Sequence, residues 1–162
     1  MIKFSRLVII GMLAVLATLG LTSPASADVS IRDGKIADLY LRSANPSQAE
    51  IERQYAAYWN PNVPLSAKYQ VTYRGDTPKV RSNLAKVMAS SRTYDFFSIK
   101  GRSTGPATVS GNRLSAPVAG VIAGLPASKL TLYWIRDNGL WKYDQKTFCL
   151  KNGCSGSKDW GY

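Results

Sequence analysis

Between residues 129 and 148 apolar or aromatic positions alternate with polar ones in two runs, KLTLYWIRD and LWKYDQKTF, parted by Asn138-Gly139. Both central residues of a two-residue hairpin turn need positive φ, which Asn and Gly tolerate, so the pattern predicts a β-hairpin turning there. That turn pairs Asp137 with Leu140, Arg136 with Trp141, Trp134 with Tyr143 and Leu132 with Gln145. Leu130, Leu132, Trp134, Trp141 and Tyr143 then share one face, and Lys142, Asp144 and Lys146 the other. A three-residue turn would set Trp134 opposite Lys142 and mix the two classes, so the two-residue turn is preferred. A sheet with one dry face needs a cover, which the earlier part of the chain must supply.

That part is patterned at the helical period. Ser47-Gln48-Ala49-Glu50 reads as a capping box. Behind it Ile51, Tyr55, Tyr58 and Trp59 form one stripe, closed by Asn60-Pro61. Leu65 and Tyr69 suggest a short helix. Thr77 and Pro78 open another, carrying Val80, Leu84, Val87 and Met88 and ending near Ser90-Ser91. Residues 28–45 form a lead-in, with Ile36, Leu39 and Tyr40 at short-helix spacing after a break at Asp33-Gly34. After Arg92 the period becomes two. Residues 93–100, 107–114 and 118–125 read as strands, separated by loops at 101–106 and 115–117. Gly111, Gly120 and Gly124 suggest bulges or bends that would curve the sheet. Helices first and strands after give an α+β domain, with N-terminal helices packed on a curved antiparallel sheet. The domain spans residues 46–150, and residues 151–162 form a loop and tail that is mobile or folds back through Trp160 and Tyr162.

The N-terminus changes the picture most. Residues 1–27 carry Lys3 and Arg6, then an uncharged apolar run, then Ala25-Ser26-Ala27. This is the pattern of a secretory signal peptide cleaved before Asp28, and the apolar run is shorter than the ~20 residues of a membrane span. The expected location is therefore extracellular or at the cell envelope, with no transmembrane anchor. Net charge is +11, and loss of Lys3 and Arg6 leaves 19 basic against 10 acidic residues, or +9. In an exported protein such charge points to anionic envelope polymers, lipid headgroups or acidic protein partners before nucleic acid, although the basic residues form no dense run. Outside the cytoplasm Cys149 and Cys154 are expected to pair, closing a short loop that staples the tail after the last strand.

The order of Asn60-Pro61-Asn62-Val63, the helix after it, Leu114-Ser115-Ala116-Pro117-Val118 and Gly139-Leu140-Trp141, behind a signal peptide, resembles the secreted low-molecular-weight antigen family of mycobacteria and related actinobacteria. The resemblance runs from Asn60 to about Phe148. It implies a small exported domain of the cone-shaped kind similar to nuclear transport factor 2, and it brings no enzymatic activity or catalytic residues. The chain departs from the pattern in a longer segment between Val118 and Leu130 and in its Cys149 to Cys154 loop with an aromatic tail.

The residues themselves argue against most catalysis. With no histidine, the usual base of serine and cysteine hydrolases is absent, and two thiols cannot fill a structural zinc site. Ser128-Lys129 are adjacent and make no Ser-x-x-Lys dyad, and Gly101 and Gly105 lack the P-loop context. Among carboxylates, Glu50 is spent on capping, Asp137 flanks the turn and Asp144 falls on the wet face. Asp95, between Tyr94 and Phe96, is the one carboxylate set among aromatics, and it would serve as a base only if it pointed into a pocket. Two functions from different classes follow, with no cofactor or metal in either. One is a non-enzymatic exported protein that associates with anionic envelope components or a partner through a basic surface. The other is a small-molecule binding domain with a pocket between helix and sheet, lined by Tyr55, Tyr58, Trp59, Asp95, Trp134 and Tyr143. Tyr133, Ile135 and Leu140 on the wet face hint at a homodimer.

Overall fold

Ser47 opens the first long helix as its capping box predicts. Its hydroxyl accepts from the Glu50 amide at 3.3 Å, and Glu50 Oε2 accepts from the Ser47 amide at 2.8 Å. In the computed structural model, which describes residues 29–91, 100–121, 128–154 and 158–162, this helix is α1 (Gln48–Trp59). It follows β1 (Val29–Ser30) and two 3-10 turns, Ile31–Asp33 and Ile36–Leu39. After it come α2 (Leu65–Gln70), α3 (Pro78–Ser91), β2 (Lys100–Ser103), β3 (Thr108–Ser110), β4 (Arg113–Val121), β5 (Ser128–Asp137), β6 (Leu140–Tyr143) and α4 (Gln145–Asn152). The fold is α+β. The described strands make one antiparallel sheet in the order β1-β2-β4-β5-β6, with β3 also on β4, strongly curled into a half-barrel.

Helix α1 is buried on more than its aromatic stripe. Ile51, Ala57 and Tyr58 are sealed, and so are Glu52 and Gln54. These polar groups are held by distant backbone. Gln54 Nε2 donates to Leu39 O at 2.7 Å, and Glu52 Oε1 accepts from the Ser103 amide at 2.7 Å. The lead-in also packs on α1: a Cβ on Gly34 would lie 2.3 Å from the Ala56 and Ala57 backbone, so only glycine fits there. At the α1–α2 corner the buried Lys68 donates to Asn60 O at 2.7 Å, while Asn60 Nδ2 donates to Gly34 O at 2.9 Å. Helix α3 starts at Pro78 and buries Val80, Leu84 and Met88 as expected, but the Thr77 hydroxyl donates to Arg74 O.

The hairpin register is the predicted one. Trp134, Arg136 and Asp137 face Tyr143, Trp141 and Leu140, and Asn138 and Gly139 both have positive φ, 52° and 73°. The Arg136 guanidinium lies 5.3 Å over the Trp141 ring beside it. The second strand is shorter than expected, however. Asp144 N-caps α4, accepting from the Thr147 amide at 3.0 Å, so the alternation through residue 146 ends at Tyr143 and Leu132 does not meet Gln145. Asp144, expected on the wet face, is buried, and so is Leu140, which joins the core. Tyr133 and Ile135 are left half-buried on that face.

Helix α4 replaces β6 along the rest of β5. Asn152 exchanges side-chain hydrogen bonds with both the amide and the carbonyl of Thr131 at 3.1 and 2.9 Å, as a strand would. Past Asn152, Gly153 turns left-handed and the Cys149–Cys154 disulfide closes, so the staple secures the end of this helix rather than the end of a strand. The outer edge of β6 is covered as well: Trp141 donates to Leu41 O, Tyr143 to Val71 O and Tyr73 to Tyr143 O.

Three strand expectations change. Residues 107–114 split at a tight turn, with Ser110 facing Arg113 and positive φ at Gly111, so this glycine makes a hairpin and not a bulge. Residues 115–117, read as a break, lie inside β4. Pro117 is tolerated there because its carbonyl, and hence its missing N–H, points to the edge where β2 and β3 part, and Thr104 N bonds that carbonyl at 3.0 Å. Residues 101–103, read as loop, belong to β2, with Gly101 opposite Gly120 in regular register, and the rest of the strand expected over 93–100 lies outside the described residues. The tail folds back: Trp160 is 1 % exposed, and Tyr162 meets the Tyr73 ring edge-on at 5.1 Å.

Candidate functional site

Two places gather chemistry: the aromatic layer between α1 and the sheet, and a cleft on the sheet's other face. In the layer, Tyr58 and Tyr143 rings lie 4.1 Å apart, Trp134 sits 5.0 Å from Tyr143, and Trp59, half-buried, meets Tyr58 edge-on at 5.8 Å. Tyr55 lies across the Gly101–Gly120 pair, where a Cβ on Gly101 would come within 2.4 Å of its ring. These glycines make room for a phenol. The structure thus brings Tyr55, Tyr58, Trp59, Trp134 and Tyr143 into one layer, and Asp95 lies outside the described residues.

Most polar edges of the layer are used inside the protein. Trp134 Nε1 donates to Gln54 Oε1 at 2.8 Å. Gln145 Nε2 donates to the Tyr58 hydroxyl, which donates to Thr72 Oγ1, which in turn donates to Lys68 O, each at 2.8 to 2.9 Å. The Tyr143 hydroxyl is buried with no partner among the described residues. Burial pushes Tyr55 up to about 12, raises Tyr58 further and lifts Tyr143 well above the ordinary phenol value, Tyr143 also through the charges of Tyr58 and Tyr55. All three phenols therefore stay protonated at neutral pH and supply donors, not bases.

On the opposite face the register sets side chains abreast. Thr108, Ser115 and Tyr133 form one row across β3, β4 and β5; Ser110, Arg113, Ile135 and Lys142 form the next. Toward the other end of the sheet Arg102, Ala119 and Lys129 make a third row, with Lys100 beyond it. Lys100, Arg102, Arg113 and Lys129 are exposed. A cleft of ≈ 240 Å³ opens over the first two rows, lined by Thr108, Ser110, Arg113, Ser115 and Tyr133 and, from the start of α4, Asp144 and Thr147. Asp144 is 3 % exposed. Its carboxylate accepts from Thr147 Oγ1 at 2.6 Å and from the Tyr162 hydroxyl at 3.1 Å, and Arg113 Nη1 stands 3.7 Å away. The Tyr162 phenol is raised first by burial, and the Asp144 carboxylate adds to the effect.

The residue pattern does not reveal this cleft, because the alternation through residue 146 presents Asp144 as the outward residue of a strand when it is the N-cap of α4. The Asp-x-x-Thr spacing of Asp144 and Thr147 is a helix-start signal and would have found the cap. Gln54 was within reach too, one turn before Tyr58 on the buried stripe. Among the described residues no group of His, Cys, Asp or Glu is placed to hold a metal ion, and no helix is long and apolar enough to cross a membrane.

Residues 44–156 match the family model of the low molecular weight antigen MTB12, C-terminal domain. No curated protein and no solved structure matches the chain.

Proposed function

We propose a function from one premise: the chain belongs to the low molecular weight antigen MTB12 family. The protein is exported, loses residues 1–27 as a signal peptide, and works at the cell envelope or outside the cell. There it binds without catalysis, holding anionic envelope polymers on the outer face of its sheet. The observation that carries this reading is the shared face of Lys100, Arg102, Arg113, Lys129 and Lys142, which the register of β2, β4, β5 and β6 sets on one side of the sheet. Among the described residues, Asp137 and Asp144 lie beside them, paired with Lys142 at 2.6 Å and Arg113 at 3.7 Å. Export agrees with the disulfide.

The test is retention of the mature, disulfide-intact protein on isolated cell-envelope fractions across a salt series. Exposed charge attraction is screened within ~8 Å at physiological ionic strength, so retention should fall steeply as salt rises. Retention that high salt leaves unchanged, or that is absent at low salt, refutes the reading.

A second reading, a small ligand bound between helix and sheet, is favoured by the Tyr143 hydroxyl, a buried donor with no protein acceptor. A ligand carrying a carbonyl or ether oxygen would satisfy it. Native mass spectrometry of protein purified from its own cells would show the added mass, and a spectrum of bare protein would refute it.

A further inference from the structure

The envelope-polymer reading says which face is used but not what chemical unit it recognises. We infer that the ≈ 240 Å³ cleft between the β3–β4–β5 face and the start of α4 binds a single sugar ring of a glycan through vicinal hydroxyls. The inference rests on that reading and deepens it: the cationic rows retain the polymer by charge, and the cleft reads one unit of it.

Four features of the cleft carry this. Its floor is a row of three hydroxyl side chains, Thr108, Ser115 and Tyr133, set side by side by the register, with Ser110 in the next row. A hydroxyl both donates and accepts, so the row matches a ligand whose own groups do both. Its wall is the Arg113–Asp144 pair, a planar donor beside a planar acceptor at 3.7 Å, and adjacent hydroxyls of a pyranose span such a pair. The carboxylate is fixed before any ligand arrives, by Thr147 and the Tyr162 hydroxyl, while the guanidinium is 66 % exposed and keeps donors for a ligand. The half-buried Tyr133 adds a ring face for the C–H side of a sugar.

The same features weigh against other ligands. A phosphate or sulfate group would meet the Asp144 carboxylate, and Arg113 is already countered by it. The volume lies below the roughly 300–1,000 Å³ of sites for drug-sized molecules, which suits one ring and not an extended ligand. Few contacts in a shallow cleft imply a dissociation constant on the order of 1–10 mM for a monosaccharide, with tighter binding to the polymer through repetition.

The experiment is an amide-resolved NMR titration of the mature, disulfide-intact protein with free monosaccharides: glucose, galactose, mannose, arabinose and N-acetylglucosamine. The result expected is saturable shifts with at least one sugar, confined to amides of Ser110, Leu114, Ser115, Tyr133 and Thr147 and unchanged when salt rises from ~0.05 to ~0.5 M. Arg113→Gln and Ser115→Ala, both keeping the folded spectrum, should each weaken binding about tenfold. Shifts of equal size in both variants, shifts scattered over the surface, or no saturable shift with any sugar at ~100 mM would overturn the inference. Shifts at the same amides from inorganic phosphate, abolished by salt and not reproduced by sugars, would overturn it in favour of an anion site. Because envelope retention is read by its salt dependence and sugar binding by its independence of salt, failure of one is distinguishable from failure of the other.

Discussion

Tyr58 and Tyr143 offer one chemical change with opposite expected signs. Their rings stack 4.1 Å apart and both are sealed, with relative exposures of 0 % and 3 %. The Tyr58 hydroxyl accepts from Gln145 and donates to Thr72, each at 2.9 Å, whereas the Tyr143 hydroxyl has no partner. Leaving a buried hydroxyl unpaired costs about 1–3 kcal/mol, so Tyr143→Phe, which keeps the ring and removes the cost, should stabilise the protein by about 1–2 kcal/mol. Tyr58→Phe removes two hydrogen bonds and leaves the buried Gln145 amide short of an acceptor, and should destabilise by about 2–3 kcal/mol. Urea unfolding of the mature, oxidised protein at neutral pH measures both, with the slope unchanged and the midpoints moving apart. The reasoning is refuted if Tyr143→Phe destabilises by ~1 kcal/mol or more, because the hydroxyl would then be making a bond in solution.

Alkaline pH tests the same layer. Burial lifts Tyr55 from its ordinary 10.0 to about 12, so the folded state holds that proton longer than the unfolded one. Its stabilising effect is complete below pH ~10 and is lost as pH rises toward ~12, about 3 kcal/mol over the window, with Tyr58 and Tyr143 acting in the same direction. Tyr55→Phe should flatten that part of a stability–pH curve, and an unchanged slope would contradict the assignment. Gly101→Ala puts a methyl within 2.4 Å of the Tyr55 ring and should destabilise by about 1–3 kcal/mol in chemical denaturation, and a variant as stable as the parent would contradict the close packing of that ring on the Gly101–Gly120 pair. Trp160→Ala removes a ring that is 1 % exposed and should cost about 3–5 kcal/mol in the same assay, whereas a free tail would show no effect.

How much of this was legible depends on whether the deciding interaction is local. The α1 cap lies in Ser47 and Glu50, the α3 start in Pro78, and the hairpin register in Asn138-Gly139, so each could be read from a few adjacent residues. Strand β4 could not be, because Pro117 is acceptable only where two other strands part, which is a fact about residues 103 to 108. Gln54 and Glu52 look like surface residues on a helix, and their partners, Leu39 O and the Ser103 amide, come from elements on either side of the helix in sequence. Of the candidate pocket residues, five were legible because aromatic rings at helical and strand periods mark a buried layer. The cleft was not legible. Its residues come from three strands and a helix start, and the alternation through Asp144 disguised the cap that holds its carboxylate. The cationic face was equally hidden: Arg102 and Lys129 are 27 positions apart by number in the chain, and only the strand pairing sets both beside Ala119.

The central claim is that one face, not net charge alone, holds the envelope polymer. Two variants separate these: Lys100, Arg102 and Lys129 all changed to Gln, and Lys35, Lys86 and Lys158 all changed to Gln, each set exposed and each removing three positive charges. Retention of both on envelope fractions at low salt is the measurement. The account predicts at least ~10-fold weaker retention for the sheet-face variant, with the other close to the parent; equal losses in the two would contradict it.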